Sequence, residues 1–362
     1  MSISSKYKFI PNLIIAICVV LFSLATVYWQ VETVTIRYIK IKQMEKHVDI
    51  MQGDAGDPWQ YRVLTEYMAE ALLRLVKLID YPRPGISTFV LFRFLQNLLI
   101  FSLAAVYYRK LGLNNYLTLL GLSILAWGMT HALYDSDLSF NLYSDIAFYL
   151  LAGILILKRK YIWTIPLVGL AALNRETSGL IPFMLLAAYL VERPPEIKLR
   201  TVIAIVVAGI LVYGIIFFSV RWYYGPRELI TAYGYRPGYG IFRFNIDRFV
   251  TWMQLTLTLG IIPIMAIVAM RRWPPILRSY FWAVVPIWFG IHVIAAILAE
   301  SRLVLVPQAL VFIPGVLFGI PGVNDKTDKK ELVEQIKTLL DNQMMCHKRH
   351  LNQLQIAGFV LL

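Results

Sequence analysis

Apolar runs long enough to cross a membrane recur along almost the whole chain, and they limit what it can fold into. The first, from Ile10 to Trp29, carries no charge. In lipid every backbone N–H and C=O needs an internal partner, so only helices or closed barrels span it. These runs lack the alternation of barrel strands, which leaves an all-α polytopic membrane protein. Hydrophobic residues make up 58% of 362, above the half or so of a soluble domain. The formal charge of +13 would suggest nucleic acid in a soluble protein. Here it marks cytoplasmic loops and attraction to anionic headgroups, and no nucleic-acid partner is implied. Cys18 and Cys346 cannot build a disulfide framework or a metal site. The first run is too long for a signal peptide and reads as an uncleaved span.

Hydropathy predicts about ten spans, at roughly 9–30, 86–107, 115–133, 141–157, 161–173, 177–191, 201–220, 249–270, 280–299 and 303–320. Residues 1–320 then form the transmembrane domain, with outer loops at 31–84 and 221–248. The tail 321–362 is polar and cytoplasmic. Short loops holding Arg109/Lys110, Lys158–Lys160 and Arg271/Arg272 put both termini in the cytoplasm. The runs on either side of Asn174 are too short for ordinary crossings, which take about 20 residues. They place Arg175 and Glu176 below the membrane surface, where charges pair or serve function.

This topology gathers the unusual polar groups on one face. The most loaded stretch is Gly53-Asp54-Ala55-Gly56-Asp57-Pro58-Trp59-Gln60-Tyr61-Arg62. Asp57, Pro58 and Gln60 read as N-cap, first helical position and capping box. Asp57 is thus in part a structural residue, and Asp54, between two glycines, is the less encumbered base. The helix predicted from Pro58 to about Ile79 has an apolar stripe through Val63, Leu64, Tyr67, Met68, Ala71, Leu72, Leu75, Val76 and Ile79. Arg62, Glu66, Glu70 and Arg74 face away as i,i+4 pairs, which suits a helix lying in the outer interface. Asp135-Ser136-Asp137 can hold a divalent cation or a sugar hydroxyl pair, or is simply a solvated loop. Arg93 inside span two, Arg175 and Arg302 are cations suited either to phosphate or to structural ion pairs. The loop at 221–248 is rich in tyrosine and arginine, Tyr235 among them, as expected for interfacial anchors or for sugar stacking. His131 and His292 stand alone in the sequence and read as structural.

The acidic first outer loop leading into an interfacial helix, with Asn174-Arg175-Glu176-Thr177 and Glu300-Ser301-Arg302-Leu303, resembles the GT-C superfamily of integral-membrane glycosyltransferases, in its poorly characterised bacterial branch. The first-loop pattern here is D-x-x-D-P, where several members have D-x-D or D-E. The resemblance implies a GT-C-like fold in a bacterial inner membrane. It also implies a polyprenyl-phosphate sugar donor and a glycan, lipid or protein acceptor meeting in an outward cavity. Asp54 or Asp57 would be the base, and Arg175, Arg93 and Arg302 the donor-phosphate ligands. Tyr61, Arg62, Asp135, Asp137, Glu176, Glu300 and Tyr235 would face substrate. A divalent metal at Asp54, Asp135 or Asp137 is optional. The rivals are a polymerase or ligase of cell-surface glycans, and a transporter or flippase of lipid-linked substrates. A transporter should show repeats and midplane charges, whereas this sequence shows no clear repeat and its charges sit towards one face, which counts against that rival without excluding it.

Overall fold

The computed structural model describes residues 3–79, 83–134, 137–230 and 234–320, with side chains from Ile10 onward. Asp135 and the tail 321–362 lie outside the described residues. No strand occurs among the described residues. The helices are α1 (Ile3–Val34), α2 (Met44–Gln52), α3 (Leu64–Leu78), α4 (Pro84–Leu111), α5 (Asn115–His131), α6 (Phe140–Leu157) and α7 (Thr164–Ala172). They continue with α8 (Ile181–Glu192), α9 (Leu199–Tyr224), α10 (Tyr239–Asp247), α11 (Phe249–Leu259), α12 (Ile262–Val268), α13 (Pro275–Ala295) and the run α14 (Ser301–Phe318).

Six of these are long and apolar enough to cross a membrane: α1 from Ile10, α4, α6, α9, α13 and α14. A seventh is reached if α11 and the turns from Ile262 to Arg272, bent by 65°, count as one span. The protein therefore has the helices of an integral membrane protein, six or seven of spanning length among the described residues where the hydropathy predicts about ten. The difference falls on α5, α7 and α8, whose 17, 9 and 12 residues are shorter than the apolar runs around them. Helix ends follow local chemistry. Pro84 opens α4, and Gly112, in the left-handed region, closes it while Arg109 and Lys110 meet its negative end. Asn114 caps α5 through the amide of Leu117.

Interhelical hydrogen bonds hold the bundle, as expected where lipid removes the hydrophobic drive between helices. Gln30 of α1 donates to Tyr143 of α6 at 2.9 Å, and Asn97 of α4 donates to Thr26 of α1 at 2.9 Å. Gln96 donates to the Phe140 carbonyl at 2.8 Å. The α14 run is the most enclosed span.

The first outer segment departs from expectation. Residues 36–52 form a turn, a π segment and α2, and α2 ends at Gly53, which has a left-handed φ of 84°. Pro58, joined to Asp57 by a cis peptide, begins no long helix. A single 3₁₀ turn, Trp59–Tyr61, follows it, and α3 starts at Leu64. The expected capping box is absent. Gln60 instead accepts from the Ala55 amide at 3.0 Å and donates to the Ile50 carbonyl at 3.1 Å, so it staples the loop from inside. Asp57 is thereby relieved of a capping role. Part of the apolar stripe of α3 faces outward, as a helix lying in an interface requires: Tyr67, Met68, Leu75 and Ile79 are exposed, whereas Val76 of the same stripe is buried with Thr65, Glu66, Ala69 and Leu73. The cause is His47 on α2. Its Nδ1 lies 2.7 Å from Glu66 and its Nε2 3.2 Å from Glu70, which turns the acidic face inward. Of the expected i,i+4 pairs, Glu70–Arg74 forms at 2.8 Å. Arg62–Glu66 does not, because Arg62 lies before α3 and reaches Glu176 instead.

Candidate functional site

The loops between helices meet around a cavity of ≈ 490 Å³. Asp57, Trp59 and Arg62 come from the first loop, Ser139 and Asn141 from the start of α6, and Arg175 and Glu176 from the α7–α8 junction. Arg221 comes from the end of α9, Tyr235 from the following loop, His292 from α13, and Glu300 and Arg302 from the α13–α14 junction. A second chamber of ≈ 460 Å³ holds Lys46, Asp49, Asp54 and Asp137. Trp59, Ile230, Glu300 and Arg302 line both chambers and form the wall between them.

Asp57 is fixed by its backbone. Its amide donates to the Glu228 carbonyl and its carbonyl accepts from the Ile230 amide, each at 2.9 Å, as a parallel bridge opposite Leu229. Burial pushes the Asp57 carboxyl above its ordinary 3.8; Glu176 adds to the rise, while Arg221 and Arg62 oppose it. Asp54 is exposed and lines the second chamber, apart from Asp57.

The arginines divide into paired and spare. Arg62 donates to Glu176 Oε2 through Nε at 3.1 Å and Nη2 at 2.9 Å, and Arg221 reaches Glu176 Oε1 at 3.3 Å. Burial works to raise Glu176, but Arg62, with further help from Arg175, outweighs it and lowers the carboxyl to about 2. Arg302 donates to Glu300 at 2.6 Å and to Asp137 at 3.3 Å, and also to the Ser139 hydroxyl. Asp137 further accepts from Lys46 at 2.5 Å. Burial opposes ionisation of Asp137, yet Lys46 and Arg302 hold it well below the carboxylate range. Lys46 lies 3.3 Å from the centre of the Trp59 ring, a cation–π contact in the dividing wall.

Arg175 is 5% exposed and differs from the others. Its Nε sits 3.8 Å from Asp145 Oδ2, beyond hydrogen bonding, and its Nη2 is 3.4 Å from His292 Nε2. Arg93 does not line the cavity. It is buried in the bundle with its guanidinium 3.7 Å from the centre of the Tyr143 ring, a cation–π contact. Tyr61 is also turned away. Its hydroxyl donates to the Gly225 carbonyl and its ring carries Arg221 at 4.5 Å, so it supports the site from behind.

Of the sequence candidates, the cavity therefore unites Asp57, Arg62, Arg175, Glu176, Tyr235, Glu300 and Arg302. Asp54 and Asp137 line the neighbouring chamber. Lys46, Trp59, Arg221, Asp145 and His292 join as partners that the sequence does not single out for this role. Among the described residues no three His, Cys, Asp or Glu side chains converge as a metal site. No protein-family model, curated protein or solved structure matches the chain.

Proposed function

We propose that the chain is a membrane-embedded glycosyltransferase. It moves a sugar from a polyprenyl-phosphate donor to a hydroxyl of a glycan, lipid or protein acceptor. The observation that carries this reading is one cavity holding Asp57, whose carboxyl burial raises above its ordinary value, and Arg175, whose guanidinium no carboxylate hydrogen-bonds. A transferase of this kind needs a base for the acceptor and a cation for the leaving phosphate.

In the proposed reaction the acceptor oxygen attacks the anomeric carbon and loses its proton to Asp57. The carbon–oxygen bond to phosphate breaks, and the bonding pair leaves with the prenyl phosphate. Arg175 meets the charge that develops there, and Arg302 and the Glu176-held Arg62 and Arg221 line the remaining walls. Tyr235 and Trp59 offer ring faces to sugar. The cavity faces away from the cytoplasm of a bacterial inner membrane, with both termini cytoplasmic. Helices α5, α7 and α8 supply the shorter crossings that bring the count to about ten. The outward stripe of α3 lies in the outer leaflet, which explains its exposed Met68, Leu75 and Ile79.

The test is transfer from a radiolabelled polyprenyl-phosphate sugar by protein reconstituted in lipid nanodiscs. Transfer by the wild type and its loss in folded Asp57→Asn support the reading; unchanged transfer in Asp57→Asn removes the base.

A further inference from the structure

We propose that His292 and Asp145 are positioning residues that aim Arg175 and leave its Nε–H without a hydrogen-bond partner, open to an anion. The inference rests on the reading of the cavity as a donor-phosphate site.

The decisive geometry is at His292. Its Nδ1 lies 2.7 Å from the Trp288 carbonyl, one turn back on α13. A carbonyl only accepts, so Nδ1 carries the hydrogen. A guanidinium nitrogen only donates, so Nε2 presents its lone pair to Arg175 Nη2 at 3.4 Å. The ring is further fixed by stacking on Trp288, with centroids 4.9 Å apart and planes at 23°. On the other side Asp145 is completely buried on α6, with Oδ2 accepting from the Thr177 hydroxyl at 2.7 Å. That bond keeps the carboxylate near Arg175 Nε but outside hydrogen-bond reach, at 3.8 Å.

Chemically, this differs from every other cation in the cavity. Arg62 and Arg221 share Glu176, and Arg302 is spent on Asp137 and Glu300. Arg175 is oriented by a neutral acceptor and balanced by a carboxylate that does not bond it. Its Nε keeps no hydrogen-bond partner although it is buried. A buried donor without a partner is costly, and an incoming phosphate oxygen relieves that cost. A carboxylate in place of His292 would cancel the charge and repel the ligand.

The probe is farnesyl phosphate titrated into nanodisc-held full-length protein, with farnesol as the uncharged control. Wild type should bind the phosphate more tightly than the alcohol, and Arg175→Ala should abolish that difference. His292→Leu should weaken phosphate binding about tenfold or more, the scale of a lost bond to a charged group. His292→Gln can donate to Trp288 and accept from Arg175, and should restore most of it. His292→Met decides the matter if the leucine variant does not fold. Wild-type binding in His292→Leu or His292→Met, or failure of His292→Gln to rescue, overturns the positioning role while Arg175→Ala still loses affinity. Unchanged binding in Arg175→Ala overturns the donor-site reading itself.

Discussion

Asp57 and Leu229 face each other across a two-bond parallel bridge, which ties the first loop to the segment after α9. The close approach depends on Gly56. A Cβ there would meet the Glu228 carbonyl oxygen at 2.8 Å and Ile230 Cγ1 at 2.7 Å. A backbone oxygen cannot swing aside as a side-chain tip can. Gly56→Ala should therefore displace Asp57 and cut transfer on the order of 100-fold, the cost of about 1 Å of misplacement. Transfer rates alongside a melting curve check this: near-normal rates would show that the bridge does not set the aspartate.

Asp57 and Asp54 should separate by kinetics. Asp57→Asn should lower the rate by roughly 10²–10⁴, the usual worth of a general base. Asp54→Asn, in the neighbouring chamber, should stay within a few-fold of wild type. A base works only when ionised, and Asp57 has its carboxyl raised above 3.8, chiefly by burial. Activity should accordingly climb with pH along an acid limb lying above 3.8. A limb at or below the ordinary carboxylate value would exclude Asp57 as its source.

His47 predicts a pH-dependent clasp between α2 and α3. Burial opposes its charge, but Glu66 and Glu70 outweigh it and raise the imidazole above 6.5. Glu70 is lowered below 4.5, mainly by its bond to Arg74 against the opposing burial, and further by His47. The raised histidine contributes stability that is full below pH 6.5 and lost as pH rises through its folded value. The lowered Glu70 contributes above pH 4.5 and loses its share as pH falls. The clasp should be strongest between about pH 4.5 and 6.5, and His47→Gln should cost about 2 kcal/mol there. The groups facing the ring are Glu66, Glu70 with Arg74 behind it, and the edge of Phe89 from α4. Thermal unfolding across pH for both proteins tests this, and parallel curves would dismiss the clasp.

Glu176 binds two arginines, so its removal should matter for order more than for the base. Glu176→Gln should destabilise the protein by about 1–3 kcal/mol, since two charge-assisted hydrogen-bond sets are weakened. The sign follows from its lowered carboxyl: the stabilisation is present above 4.5 and fades only as pH approaches about 2. Unfolding midpoints at pH 7 that match wild type would contradict the cluster.

Arg93→Met should leave transfer within a few-fold of wild type and be close to neutral or stabilising. A buried charge replaced by an apolar side chain of similar volume often is. Loss of donor binding in this variant would return Arg93 to the phosphate site despite its place over Tyr143.

Much of the scaffold could be read from the chain. The long apolar runs become α1, α4, α6, α9, α13 and α14, because lipid permits only helices or closed barrels and these runs lack the alternation of barrel strands. The polar junctions at Asp57, Arg175 and Arg302 were also visible, as charges that apolar surroundings make conspicuous. Less legible were their partners. His292 looked isolated because its neighbour, Arg175, comes from a different helix pair. His47 carried no signal, since Glu66 and Glu70 fit ordinary i,i+4 surface pairs equally well. The same ambiguity made Asp57-Pro58-x-Gln60 read as a helix cap, when Gln60 turns inward to Ala55 and Ile50.

The sequence by itself determined the material of the protein: apolar helices, with most of the charges at their junctions and a few, such as Arg93 and Asp145, within them. Those follow from local composition and from the cost of unpaired polar groups in lipid. Only the tertiary structure decided which charges cancel and which stay available. Glu176 takes Arg62 and Arg221, Asp137 and Glu300 take Arg302, and Arg175 is left with a neutral histidine and a carboxylate that pairs its charge without hydrogen-bonding it. Electrostatic partnership depends on distances of a few ångström between loops far apart in the chain, and local composition does not specify those distances.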